Sequence, residues 1–143
     1  LRNWPDYRRS IELVIPGQPP REVWLGEAGV MATACDNRGE KIWIVLRDAS
    51  PTLQDELLLL NSSGTVLKRR SLPGWYLASG AILDVDPATN RLLTVMTDGD
   101  GAQRRAALID GHSLEFELLK PQVVLARWLP AGGELDEFSK VRR

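Results

Sequence analysis

The chain repeats itself, and that narrows its folds more than any other feature. The segment Cys35–Asp48 aligns without gaps on Val85–Asp98, 50 residues further on. Asp36/Asp86, Val45/Val95 and Asp48/Asp98 are identical, and Lys41/Arg91, Ile42/Leu92 and Leu46/Met96 keep their chemical type. The match resumes at an offset of 49, with Leu59-Leu60-Asn61 on Leu108-Ile109-Asp110. A period of about 50 residues marks a unit that cannot bury its apolar side alone, so that units must stack.

Each unit reads as four short antiparallel strands. In the first they are Met31–Cys35, Lys41–Arg47, Glu56–Leu60 and Thr65–Arg70; in the second, Ile82–Val85, Arg91–Thr97, Arg105–Ile109 and Leu114–Leu119. The breaks fall on turn chemistry: Asp86-Pro87-Ala88-Thr89-Asn90, Asn61-Ser62-Ser63-Gly64 and Asp110-Gly111-His112-Ser113. Proline pre-sets φ for such turns, and Asn and Gly accept left-handed backbone. Ile42–Leu46 and Leu57–Leu60 are continuous apolar runs rather than alternating ones, which predicts strands buried on both faces between neighbouring sheets. Val66–Arg70 and Leu114–Leu118 mix apolar with charged residues, as edge strands do. Ser10–Gly17 parallels Lys68–Gly74 in ending on Pro-Gly and reads as a fourth strand of an earlier unit; Val123–Leu129 reads as the opening of a later one. The expectation is a single all-β domain over residues 1–143, with units at 29–71 and 80–120 and partial units at both ends.

Composition removes several classes of function. Eighteen Lys and Arg against nineteen Asp and Glu leave a net charge of −1, so a nucleic-acid partner held by counterion release is not expected. No apolar run approaches the roughly 20 residues that span a bilayer, so membrane insertion is not expected either. The one cysteine, Cys35, cannot form an intrachain disulfide and reads as a small buried hydrophobe.

The strand–turn–strand Val85-Asp86-Pro87-Ala88-Thr89-Asn90-Arg91-Leu92 resembles that of YVTN-type, NHL and quinoprotein-like β-propeller repeats. Leu108–Leu114 and Leu59–Leu67 resemble the hairpin between the third and fourth strands of that family, and the likeness covers roughly Val30 to Lys120. It implies four-stranded antiparallel blade-like units of β-propeller type, and little about function, because such repeats serve unrelated roles. A closed propeller has about 4–8 blades, whereas this chain holds a little under three periods. The units are therefore expected to be an incomplete array or to pack as a sandwich, with their outer faces covered by something else; a homo-oligomer would do this.

The candidate site lies in the longer loops. Asp48–Asp55 and Asp98–Arg104 begin with Asp at matching places, and in blade-like units they share a rim with the link Ser71–Gly80. Trp75 and Tyr76 in that link offer a binding platform, since aromatic rings give large contact area at low entropic cost, although plugging the gap between sheets suits them as well. The candidate ligand-binding residues are Trp75, Tyr76, Asp48, Asp55, Asp98 and Asp100. Asp98-Gly99-Asp100-Gly101 is a fragment of a calcium-loop pattern that lacks its third Asp and distal Glu, and reads as a plain turn. The single histidine, His112, sits in a turn with no triad around it. No catalytic residue, metal or cofactor is assigned. The reading is a non-enzymatic interaction module that engages a protein or glycan through its loop rim. Two alternatives are a lactonase-like metal hydrolase drawing on Asp36, Asp86, Asp48 and Asp98, and a small inhibitory protein of the immunity type.

Overall fold

The structure is a computed structural model and describes residues 8–48, 54–99, 101, 103–122 and 126–128. Among these, every regular element is a strand: β1 (Arg9–Leu13), β2 (Arg21–Gly26), β3 (Gly29–Cys35), β4 (Lys41–Asp48), β5 (Gln54–Asn61), β6 (Val66–Leu72), β7 (Trp75–Leu77), β8 (Asp84–Val85), β9 (Arg91–Asp98), β10 (Arg104–Asp110) and β11 (Phe116–Gln122). They make three antiparallel sheets: β1-β2, then β3-β4-β5-β6, then β7 and β8 both beside β9, followed by β10 and β11.

The two continuous apolar runs explain how the sheets stack. Successive side chains of a strand point to opposite faces, so Ile42–Leu46 on β4 and Leu57–Leu60 on β5 supply both sides of the central sheet. Trp43, Val45, Leu57 and Leu59 face the third sheet, where they meet Leu77, Leu83, Leu92, Met96, Ala107, Ile109 and Leu114. Ile42, Ile44, Leu46, Leu58 and Leu60 face the first sheet and meet Leu13 and Val23. Two cores therefore share one sheet. Each fully buried leucine contributes about 1.5–3 kcal/mol relative to leaving it in water, so the central strands dominate the stability of the stack.

The hairpin turns of the two larger sheets close with matching backbone bonds, and each ties an Asp or Asn side chain into the turn, though to different N–H groups. Asp36 N–H donates to Lys41 O over 3.0 Å, and Asp86 N–H to Arg91 O over 2.8 Å. Their carboxylates accept from the Glu40 N–H at 2.8 Å and the Ala88 N–H at 3.2 Å. The next turn along is closed by Asn61 Oδ1, which accepts from Ser63 and Thr65, and by Asp110 Oδ1, which accepts from His112 and Ser113. Those two backbone bonds hold the Asp110 carboxyl below its usual range. The second of these turns is one residue longer. Gly64 and Leu114 occupy the same left-handed place, with φ of 87° and 62°, and each donates to the carbonyl that opens the turn. That extra residue returns the sequence offset from 49 to 50 beyond the turn, whereas the earlier change from 50 to 49 falls between Asp48/Asp98 and Leu59/Leu108.

Four details depart from the sequence expectation. The inner strand expected at Ile82–Val85 is split: β7 pairs the rim half of β9 and β8 the other half, while residues 78–83 leave the ladder between them. The cause is packing, since Ala78 and Leu83 turn into the core. Ser10–Ile15 is not a closing strand. Its Pro16-Gly17 forms a turn leading towards β2, which pairs with β1 in one hairpin, whereas Pro73-Gly74 carries the chain from one sheet to the next. The strand β2 was not anticipated. Cys35 ends β3 with its thiol exposed rather than buried.

Candidate functional site

The strand ends that flank both long loops, together with the β6–β7 link, lie at one end of the stack. Asp48 ends β4, Asp98 ends β9, and Trp75 is the register partner of Asp98. Strand alternation then separates the aromatic pair. Trp75 packs half-buried against the core between the central and third sheets. Tyr76, its neighbour, lines a cleft of about 560 Å³ with Arg47, Ser79, Thr97, Asp98 and Gly99.

The cleft is built on an ion pair that sequence reasoning did not single out. Arg47 and Asp55 are register partners across the β4–β5 hairpin. Arg47 Nε donates to Asp55 Oδ1 over 2.6 Å and Nη2 donates to Oδ2 over 3.0 Å. The Asp55 carboxylate is fully buried, while about a quarter of the Arg47 side chain is exposed. The hydrogen bond to Asp55 raises the Arg47 guanidinium above its usual value, outweighing the burial that would lower it.

This pair also ties two sheets together. Ala78 N–H donates to Val95 O, which turns the peptide groups of Leu77 away from β9. Leu77 N–H donates instead to Asp55 Oδ2 over 2.7 Å, and Leu77 O accepts from Arg47 Nη2 over 3.1 Å. Both backbone polar groups of Leu77 are thereby satisfied by one ion pair from the central sheet. The guanidinium carbon lies 5.7 Å from the centre of the Tyr76 ring, a cation–π stack that fixes the ring at the cleft wall. A planar guanidinium, an aromatic ring, the Thr97 and Ser79 hydroxyls and the Asp98 carboxylate thus converge on one concave surface.

The six expected residues separate accordingly. Tyr76 and Asp98 share the cleft, Trp75 stands behind it in the core, and Asp55 holds Arg47 from beneath. Asp48 is exposed at the same rim but lines a different cleft of about 320 Å³, with Leu46, Gln54, Glu56 and Ser71, on the opposite face of the central sheet. Asp100 lies outside the described residues, as do residues 49–53 of the Asp48–Asp55 loop. Arg47 was legible in principle: centring the hairpin on 49–53 sets it opposite Asp55, and an Arg facing an Asp across a non-exposed row is a pair.

At the far end of the stack His112 Nδ1 lies 3.1 Å from Lys41 Nζ, both exposed. Beside them Trp43 Nε1 donates to Gly111 O over 2.9 Å, a second buried tie between the central and third sheets. Among the described residues no group of three or more His, Cys, Asp or Glu side chains converges as metal ligands would. Comparison of the chain with family models, with curated proteins and with solved structures found no match.

Proposed function

We propose that this chain is a non-enzymatic binding module of the β-propeller type, whose sheets are blade units and whose rim cleft takes a segment of a partner protein or a glycan. The blade reading is supported by the face-to-face packing of the central sheet between two others, by the meandering strand order of the two larger sheets, and by their matching turns. The binding reading is carried by one observation: Tyr76 is presented at a cleft by a guanidinium that is itself held by a buried carboxylate. A ring fixed in this way loses little entropy when a ligand stacks on it. The cleft volume falls within the range of roughly 300–1,000 Å³ common to ligand sites, and its hydroxyls and carboxylate suit hydroxyl-bearing or peptide groups.

The test uses arrays of immobilised oligosaccharides and short peptides, followed by titration of whatever binds. Tyr76→Ala is expected to weaken binding by about 10-fold or more, the loss typical of a buried aromatic anchor, with the melting temperature little changed because the ring sits outside both cores. Binding that survives the substitution in a folded variant would remove the cleft from the account.

A further inference from the structure

The start of the β9–β10 turn leaves its side of the Tyr76 cleft bare. Gly101 N–H donates to Asp98 O over 2.9 Å, and Gln103 N–H donates to Asp98 Oδ1 over 3.4 Å. Two glycines of this turn, Gly99 and Gly101, line the cleft. Gly101 has a backbone reason to be glycine, since its φ of 71° lies in the left-handed region. Gly99 has no such reason, because its φ lies outside that region. A Cβ at Gly99 would meet Tyr76 Cε2 at 3.8 Å, an ordinary contact distance, with nothing closer among the described residues. A glycine held where other residues fit lowers stability, because the unfolded chain gains the most freedom from it. What Gly99 leaves in return is open space beside the phenol end of the ring.

The walls of that space narrow what can fill it. The charge of Arg47 is matched by the buried Asp55, and its Nε and Nη2 donate to Asp55 and to Leu77 O. Arg47 therefore serves to hold the ring rather than to attract an anion. At Leu77 the outward edge of β7 is closed, since its N–H and C=O are bonded to the same ion pair. An extended peptide that recognises a sheet by strand addition needs those main-chain groups. Side chains are what the cleft presents. Thr97 Oγ1 donates to Asp98 O over 3.3 Å, so its oxygen faces a ligand as an acceptor. Ser79 adds a second hydroxyl and Asp98 a carboxylate that can accept several bonds. A sugar ring matches this set: its C–H face packs on an aromatic ring while its hydroxyls donate to and accept from the groups around it.

We infer that Gly99 determines the specificity of the rim cleft, and that the ligand it admits beside Tyr76 is a neutral saccharide. The inference rests on the binding reading above and narrows it to one ligand class and one residue that shapes the opening. Gly99 makes no bond to the sugar; it acts by leaving the ring uncovered.

The test titrates the isotope-labelled chain with two probe sets, followed by its amide signals. One set holds neutral oligosaccharides of glucose, galactose, mannose, xylose and N-acetylglucosamine, and the other holds short peptides. At least one saccharide is expected to shift Tyr76, Ser79, Thr97 and Gly99, and the peptides are not. Gly99→Leu is expected to weaken that saccharide by about 10-fold or more, as loss of an aromatic anchor does. Its melting temperature is expected to hold or to rise by about 1–4 °C, because the backbone there accepts a side chain. Gly99→Ala brings only the Cβ and is expected to show the same rise with most of the binding kept. Should Gly99→Leu lose its cooperative melt, Gly99→Val replaces it. A Gly99→Ala chain that melts below the wild type, or a folded Gly99→Leu chain that binds the saccharide as tightly as the wild type, would overturn the inference. So would peptides that shift Tyr76 where saccharides do not, an outcome that leaves the binding reading standing. If neither set shifts Tyr76, both the inference and that reading fall.

Discussion

Asp55 is the residue on which the rim depends. A carboxylate with no exposed surface is tolerated because both its oxygens are hydrogen-bonded, with two bonds from Arg47 and one from the Leu77 N–H. Removing it leaves a partly buried cation and an unpaired backbone donor. Asp55→Ala is expected to cost about 3 kcal/mol, at the lower end for a broken buried pair because Arg47 keeps some contact with water. Denaturant unfolding checks this, and a loss well under 1 kcal/mol would mean the pair is not what joins β7 to the central sheet. Thr94 is the opposite case. It is fully buried in the row of Leu92 and Met96, and its hydroxyl has no hydrogen-bond partner. Thr94→Val keeps the shape and removes the unmade bond, so the expected result is a gain of about 1 kcal/mol by the same measurement.

Among elements, turns decide how the sheets meet. Gly111 begins the β10–β11 turn, where its carbonyl receives the Trp43 indole. A Cβ there would overlap the Asn90 carbonyl oxygen and press on the Trp43 ring. Gly111→Ala is therefore expected to destabilise by roughly 2 kcal/mol or more, as overpacking against backbone does. An unchanged melting temperature would contradict this docking of the turn. The same scale shows what could be read in advance. The strands of the central sheet were legible because Ile42–Leu46 and Leu57–Leu60 are too apolar for any surface, and the turns were legible because Asn90 takes the left-handed backbone its type allows, with φ of 58°. The split of β7 from β8 was not, because Ala78–Leu83 departs from the ladder to satisfy a core that only tertiary packing creates. Arg21–Gly26 escaped notice because it follows Pro19-Pro20 and carries only three apolar residues in a row, Val23, Trp24 and Leu25, among charged ones. In the site, Tyr76 and Asp98 were marked by their loop, but Arg47 read as the polar end of a strand until its partner across the hairpin was known. The exposed Cys35 follows from the open edge of the first sheet, which leaves the end of β3 uncovered.

At the scale of the molecule, one sheet buried on both sides holds its neighbours in place, so the ends of all three sheets form two distinct rims. One carries the Trp43–Gly111 tie and the short hairpin turns. The other carries the Arg47–Asp55 clamp, the β6–β7 link and the Tyr76 cleft. That second rim presents a concave surface on which a guanidinium, an aromatic ring, two hydroxyls and a carboxylate meet, and this is the physical basis of the proposed binding role. Amide chemical-shift mapping tests the assignment most directly, using the tightest oligosaccharide or peptide from the arrays as probe. The account predicts that the largest shifts fall on Tyr76, Ser79, Thr97, Asp98 and Gly99, with little change at Asp36–Glu40 and Asp110–Glu115. Shifts concentrated on those far turns, with the Tyr76 cleft silent, would contradict it.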